Sequence, residues 1–222
     1  IHDLAWAAGD SQAEGFLIGA TSGRTTLNGE GLQHQDGHSH LFSATIPNCL
    51  SYDPAYAYEL AVIFQHGIQK MFVELENYYY YITVTNENYE QPAKPEGSDE
   101  GIIKGMYRLI ENKEHQVILL GSGSILNESL KAVEILSSVG IAAEVWSVTS
   151  FNMLRKDGID KQRFNELNPD LLSKVSYVEE CLSNESIPVI ASTDYMRAYP
   201  EQIRSYIEAP FYTLGTDGYG RS

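Results

Sequence analysis

Cysteine is nearly missing: Cys49 and Cys181 are the only two in 222 residues. They stand too far apart for a disulfide framework and outside any Cys/His zinc spacing, which fits a reducing cytosol. Basic residues are scarce as well, fifteen Lys and Arg against thirty Asp and Glu, for a formal charge of -15. Such a surface repels phosphate backbones and anionic headgroups, so neither nucleic acid nor a membrane surface is expected as a partner. No run of about 18 apolar residues and no charged, apolar leader occurs, which argues against membrane insertion and secretion. Internal repeats and low-complexity tracts are likewise wanting.

What is present supports a core, since 43% of the residues are hydrophobic. The text opens at Ile1 inside helix-like sequence (HDLAWAAGDSQAEGFLIGA) and stops just after a glycine-rich turn, so both ends are expected to be cut positions. Cys49 to Tyr52 reads as a short strand, followed by Asp53 and Pro54, which suit an N-cap and a first helical position. Leu60, Phe64, Ile68 and Phe72, with Ala61 and Met71 beside them, predict the core-facing stripe of the next helix. Tyr78 to Val84, YYYYITV, has strand composition, with its tyrosines filling hydrophobic space on alternate faces. Strand, helix, strand makes a βαβ unit.

From Asn86 the chain turns polar and proline-bearing as far as Gly101. Beyond it the pattern predicts a helix over 102–110, a strand over 117–121, a helix from the turn GSGS carrying Leu126, Leu130 and Val133, and a strand over 142–149. A polar helical stretch over 161–182, a strand over 187–192, a helix over 195–207 and an apolar run over 211–214 follow. The fold class is α/β, with two open α/β sheets in series: residues 1–86, a linker over 87–101, and residues 102–222.

Gly29 to His40 reads GEGLQHQDGHSH and holds three of the six histidines, His34, His38 and His40, around Asp36. Histidine changes charge near neutral pH, and glycine lets backbone approach a ligand. Three readings stay open on these residues: a solvated turn, a proton-transfer site, or a zinc or iron site in which His38 and His40 share a face and His34 and Asp36 complete the sphere. A tight turn without a ligand suits GSGS, which lacks the third glycine of a dinucleotide fingerprint and the lysine of a P-loop. Ser51, Tyr52 and Asp53 lie where a parallel strand ends, the usual place for ligand contacts in open α/β sheets.

The text TSGRTTLNGEGLQHQDGHSHLFSATIPNCLSYDPAYAYE, with YYYYITVTNENYEQPAKPEG, LLGSGSIL, VWSVTSFN, ASTDYMRAYPEQIRSYI and LGTDGYGRS after it, closely resembles the homodimeric bacterial type of pyruvate dehydrogenase decarboxylating component. More distantly, GEGLQHQDGHSH is similar to the transketolase loop GEDGPTH, which sets Asp36 and His40 on that family's acid and histidine. The resemblance implies a thiamin diphosphate and Mg2+ enzyme of the cytoplasm that decarboxylates pyruvate and passes the two-carbon unit to a lipoyl group. It also implies a homodimer docked on a dihydrolipoyl acetyltransferase core. Of that family's three α/β domains, this chain resembles the later part of the second, pyrimidine-binding domain and most of the third. The GDG...N motif for diphosphate and Mg2+, and the glutamate that activates the aminopyrimidine, are expected outside it. By the same resemblance His40 is the substrate-facing acid/base group, His38 its nearest rival, Asp36 an orienting group and His34 structural. GTDGYGRS, Gly215 to Ser222, is expected to be structural or interfacial. Two further readings are kept, a non-catalytic assembly or docking module and a His-rich metal-dependent hydrolase.

Overall fold

The computed structural model describes residues 2–20, 23–27, 34–182 and 186–219. Gly29 to Gln33 of the histidine-rich loop, and Gly220 to Ser222 of GTDGYGRS, lie outside the described residues.

The first half builds a three-stranded parallel sheet in the order β1 (Gly15–Ala20), β3 (Tyr79–Val84), β2 (Cys49–Tyr52). Helix α1 (His2–Asp10) precedes β1, and the short α2 (Ser39–Ser43) leads into β2. Helix α3 (Ala57–Ile68) connects β2 to β3, completing the expected parallel βαβ unit. Both faces of this sheet are covered, because the neighbouring Tyr79 and Tyr80 are each buried.

The second half begins with α4 (Asp99–Lys104) and forms a five-stranded sheet in the order β4 (Met106–Ile110), β6 (Ala143–Val148), β5 (Val117–Gly121), β7 (Val189–Met196), β8 (Phe211–Thr216). β4 runs antiparallel to β6 and the other pairings are parallel. β5 and β6 are buried along their whole length, as an apolar run sandwiched by helices requires. The helices are α5 (Ile125–Ser138), α6 (Phe151–Leu167), α7 (Tyr177–Cys181) and α8 (Ala198–Glu201). Ser150 caps α6 by accepting from Met153 N, and Ser176 with Glu179 forms a capping box at α7.

Five local expectations are corrected. The opening helix-like text stops at Asp10, and GFLIGA is strand β1. The buried ladder of α3 and its π-helical last turn, Gln69–Val73, is Glu59, Ile63, Gly67 and Met71, one residue before the predicted stripe. Leu60 and Phe64 flank that ladder, while Ile68 and Phe72 are 49% and 54% exposed. A four-residue ladder looks alike in either register, and here the deciding residues are a carboxylate with four donors and a glycine on which the Phe16 ring rests. Asp53 caps nothing: α3 starts four residues later, with Tyr56 at its N-cap. The helix predicted over 102–110 ends at Gly105, whose φ of 115° is left-handed, and MYRLI becomes the antiparallel edge strand β4. In the helix predicted over 195–207, β7 runs on through Met196, leaving only α8 and a 3-10 turn at Arg204–Tyr206.

The halves share a polar seam as well as apolar contacts. Ala55 and Tyr56 pack with Val117, Leu119 and Leu126 of the second sheet's layer. Asp53 N donates to Thr149 O at 2.7 Å, and Ser150 Oγ donates to Ser51 O at 2.6 Å. The C-terminal end of β2, where the loop of interest also lies, is thereby fixed against the second sheet.

Candidate active site at the seam of the two sheets

Asp36 sets the geometry of the loop. Its Oδ1 accepts the backbone N–H groups of His38 at 2.9 Å and Ser39 at 3.1 Å, an Asx turn that starts α2. The turn sends His38 and His40 into different surroundings. His38 is half-buried, its ring centroid 6.2 Å from Phe42 and 5.8 Å from Tyr219. His34 is exposed.

His40 is wholly buried. Its carbonyl accepts from Asn152 Nδ2 at 2.7 Å, and the same amide donates to Ser51 Oγ at 2.6 Å, so α6 fixes both α2 and β2. The ring lies in an aromatic box: stacked on Tyr199 at 4.9 Å, edge to Tyr195 at 4.7 Å, and 5.3 Å from Tyr81. Burial there lowers its pKa from 6.5 to about 4, against a smaller opposing pull from Asp36, so the imidazole is neutral at pH 7.

One ring nitrogen is engaged. His40 Nε2 lies 2.9 Å from Thr83 Oγ1, and Thr83 Oγ1 donates to Asp53 Oδ1 at 2.7 Å. Among the described residues His40 Nδ1, Asp53 Oδ2 and the hydroxyls of Tyr195 and Tyr199 are buried without a hydrogen-bond partner. Burial raises the Asp53 carboxyl to about 7; Asp194 and Glu59 push the same way, and hydrogen bonds from Thr83 and Ser122 oppose. The turn GSGS has its use here. Gly123, at φ 51°, donates its N–H to Asp53 O at 3.1 Å, and a Cβ in its place would come within 2.4 Å of Asp53 Oδ2.

Asp194, at the end of β7, accepts from Arg24 N at 2.6 Å, Thr25 N at 2.8 Å and Thr25 Oγ1 at 2.7 Å. Arg24 is itself buried, its guanidinium lying against Gly37 and donating through Nη2 to Gly218 O at 2.9 Å. A separate cavity of about 580 Å³ is lined by Asp36, Ser39, Phe42, Cys49, Tyr79 and Tyr81 among others; His40 does not line it. The three residues singled out in the sequence thus divide: Asp36 shapes the loop and reaches the cavity, His38 stands beside Phe42 and Tyr219, and His40 joins a buried chain.

Sequence reasoning passed over Thr83, Asn152, Tyr195 and Tyr199, and took Asp53 for a cap. The available signal was position: Asp53 and Thr83 close neighbouring parallel strands, where open sheets gather ligand contacts. Among the described residues no three His, Cys, Asp or Glu come together as metal ligands. The unpartnered groups of the seam, an imidazole nitrogen, two phenols and a carboxylate oxygen, suit proton transfer. They do not form a cradle for a diphosphate with its Mg2+.

Two open α/β sheets in series are shared with part of transketolase: the transketolase of Campylobacter jejuni superposes with a TM-score of 0.70, at 21% identity, over 99% of this chain and 29% of that one. Residues 105–222 match the family model for the transketolase-like C-terminal domain, and residues 1–92 match that for the pyruvate dehydrogenase E1 component middle domain. The pyruvate dehydrogenase E1 component of Pseudomonas aeruginosa is 62% identical and that of Escherichia coli 58% identical, each over the whole of this chain. Over 105–222 the chain belongs to the transketolase-like C-terminal domain family, and over its whole length it is similar to pyruvate dehydrogenase E1 components. It spans 26% and 25% of the length of these two relatives. Among the described residues no helix is long and apolar enough to cross a membrane.

Proposed function

We propose that this chain is the part of a pyruvate dehydrogenase decarboxylating subunit that supplies one wall of its active site. The reaction assigned is oxidative decarboxylation of pyruvate with reductive acetylation of a lipoyl group, leading to acetyl-CoA. The observation that carries the reading is similarity along the whole chain: at 62% identity the alignment with the P. aeruginosa relative covers all of it. The buried, neutral imidazole of His40, with Nδ1 unengaged among the described residues, supports a proton-transfer role. His38, only half-buried, is the nearest rival for that role, and Asp36 holds the turn that separates the two.

The electron-sink chemistry is assigned to thiamin diphosphate with Mg2+, held mostly by residues outside this chain. The same reading gives the assembled enzyme as a cytoplasmic homodimer docked on a dihydrolipoyl acetyltransferase core that carries the lipoyl domains. It divides this chain into units 1–86 and 102–222 with 87–101 between them.

The test uses the whole enzyme, with acetyl-CoA formation and pyruvate decarboxylation measured separately. His40→Ala is expected to lower acetyl-CoA formation at least about 100-fold, the ordinary scale of acid–base catalysis, and decarboxylation less. Unchanged rates in both assays would remove His40 from the site. The 222-residue chain by itself is expected to show no thiamin diphosphate binding by calorimetry, and stoichiometric tight binding would overturn the assignment of the cofactor site to other residues.

A further inference from the structure

Thr83 stands between the site's imidazole and a carboxylate that no catalytic reading has used. Its hydroxyl lies 2.9 Å from His40 Nε2 and donates to Asp53 Oδ1 at 2.7 Å. A hydroxyl has one hydrogen to give. While Asp53 is ionised it can only accept, so Thr83 gives its hydrogen to Asp53 and must receive one from His40, which places the imidazole hydrogen on Nε2 and leaves Nδ1 as a bare lone pair. Among the described residues two other groups lie near the hydroxyl: Tyr52 O, farther at 3.4 Å, and the Tyr195 phenol, which can donate to Thr83 and so does not compete for its hydrogen.

We propose that Asp53 and Thr83 form with His40 a three-residue relay that takes a proton arriving at His40 Nδ1 and deposits it on Asp53. The proposal rests on the reading of His40 as the proton-transfer group. The bonds balance: an N–H forms at Nδ1; the Nε2–H bond breaks and its hydrogen passes to Thr83 Oγ1; the hydrogen that Thr83 held passes to Asp53 Oδ1. The imidazole ends neutral in its other tautomer, the hydroxyl is restored, and the carboxylate has become a carboxylic acid. No oxidant or reductant takes part.

The surroundings suit this division of labour. The box of Tyr81, Tyr195 and Tyr199 disfavours an imidazolium and brings His40 down to about 4, whereas Asp53 is raised to about 7. A proton that the ring cannot keep has a resting place one hydroxyl away. Among the described residues the groups acting on Asp53 are the carboxylates Asp194 and Glu59, the hydroxyls of Thr83 and Ser122, and the phenols Tyr81, Tyr89, Tyr195 and Tyr199. His40 faces Asp36. Asp53 and Thr83 are positioning residues, acting on the reaction only through the imidazole.

Ring 15N NMR on the 222-residue chain labelled at histidine tests the relay by showing which nitrogen of His40 carries hydrogen from about pH 5.5 to about pH 8.5. The expected result is Nε2–H at the basic end and Nδ1–H at the acidic end, with the ring neutral throughout and a midpoint at about 7, the value for Asp53. Asp53→Asn should hold one tautomer at every pH, Thr83→Ser should keep the exchange, and Thr83→Val should abolish it. If the valine variant fails to fold, the Asn and Ser variants decide. A single wild-type tautomer across the range, an imidazolium forming in that window, or an exchange that survives Asp53→Asn would each overturn the relay. A tautomer exchange in an enzyme whose activity survives His40→Ala would leave the wiring standing and remove only the functional reading.

Discussion

Glu59 of α3 and Tyr107 of β4 lie on opposite sides of the linker and meet at 2.7 Å, the phenol donating to Oε1. Ser147 of β6 donates to the same oxygen at 2.6 Å, while Oε2 takes the N–H groups of Ala55 and Tyr56. A buried carboxylate is costly unless its lone pairs are filled, and here four donors from both halves fill them. The helix start and the seam are therefore held by one side chain.

Removing it should be severe. Glu59→Ala leaves four donors facing an apolar void and is expected to cost about 3 kcal/mol or more in urea unfolding, with Tyr107→Phe losing about 1 kcal/mol. A Glu59→Ala loss below about 0.5 kcal/mol would mean that apolar packing alone carries the seam.

The pH dependence of stability should hide two opposed slopes. Folded Asp53 keeps, from 3.8 up to about 7, a proton that the unfolded chain has released, so its contribution falls as pH rises. Folded His40 has released, from about 4 to 6.5, a proton that the unfolded chain keeps, so its contribution rises. Each slope is about 1.4 kcal/mol per pH unit, and over their shared window they cancel. Relative to wild type, Asp53→Asn should gain stability with rising pH between about 4 and 6.5, and His40→Gln should lose it. Urea midpoints measured across that range check both signs; parallel curves for all three proteins would refute the assignment.

Asn152→Ala should loosen the histidine loop from outside it, by removing a clamp on His40. The amide donates to His40 O at 2.7 Å and Ser51 Oγ at 2.6 Å, and its oxygen accepts from Gln202 Nε2 at 2.8 Å. The loss is expected at about 2 kcal/mol, with amide exchange faster across α2 than across β5. Uniform acceleration throughout the chain would show global destabilisation instead of a local release.

Gly123→Ala should displace Asp53. The position has φ 51°, and the added Cβ would fall 2.4 Å from Asp53 Oδ2 and 2.8 Å from its Cγ, inside a packed seam. A cost of about 1–3 kcal/mol is expected, along with a changed titration of Asp53 in carboxyl 13C spectra. Gly97→Ala is a control for positive φ alone, because φ there is 74° and nothing lies within 4 Å of its Cβ position.

The alternation of strands and helices was legible because each βα unit writes its own period: VILLG followed by the spacing of Leu126 and Leu130 needs no distant partner. What misled was wherever a distant partner decides. Glu59 looks like a surface residue until Tyr107 and Ser147 arrive. Asp53 satisfies every local rule for a cap, yet β3 supplies Thr83 and draws its carboxyl into the seam. MYRLI follows a left-handed glycine and pairs with β6, so its helical text is overruled by a sheet edge. For the site, the histidine-rich loop announced itself by composition, whereas the chain behind His40 comes from strand ends and from the aromatics of TDYMRAYP, which read as ordinary core.

Asp194 clamps Arg24 across a separation of 170 residues, and Asn152 clamps His40 across 112. Contacts so far apart in the chain close large loops, and that entropy is not recovered until both sheets exist. His40 is accordingly expected to reach its native place only after the second sheet has formed, a late product of folding.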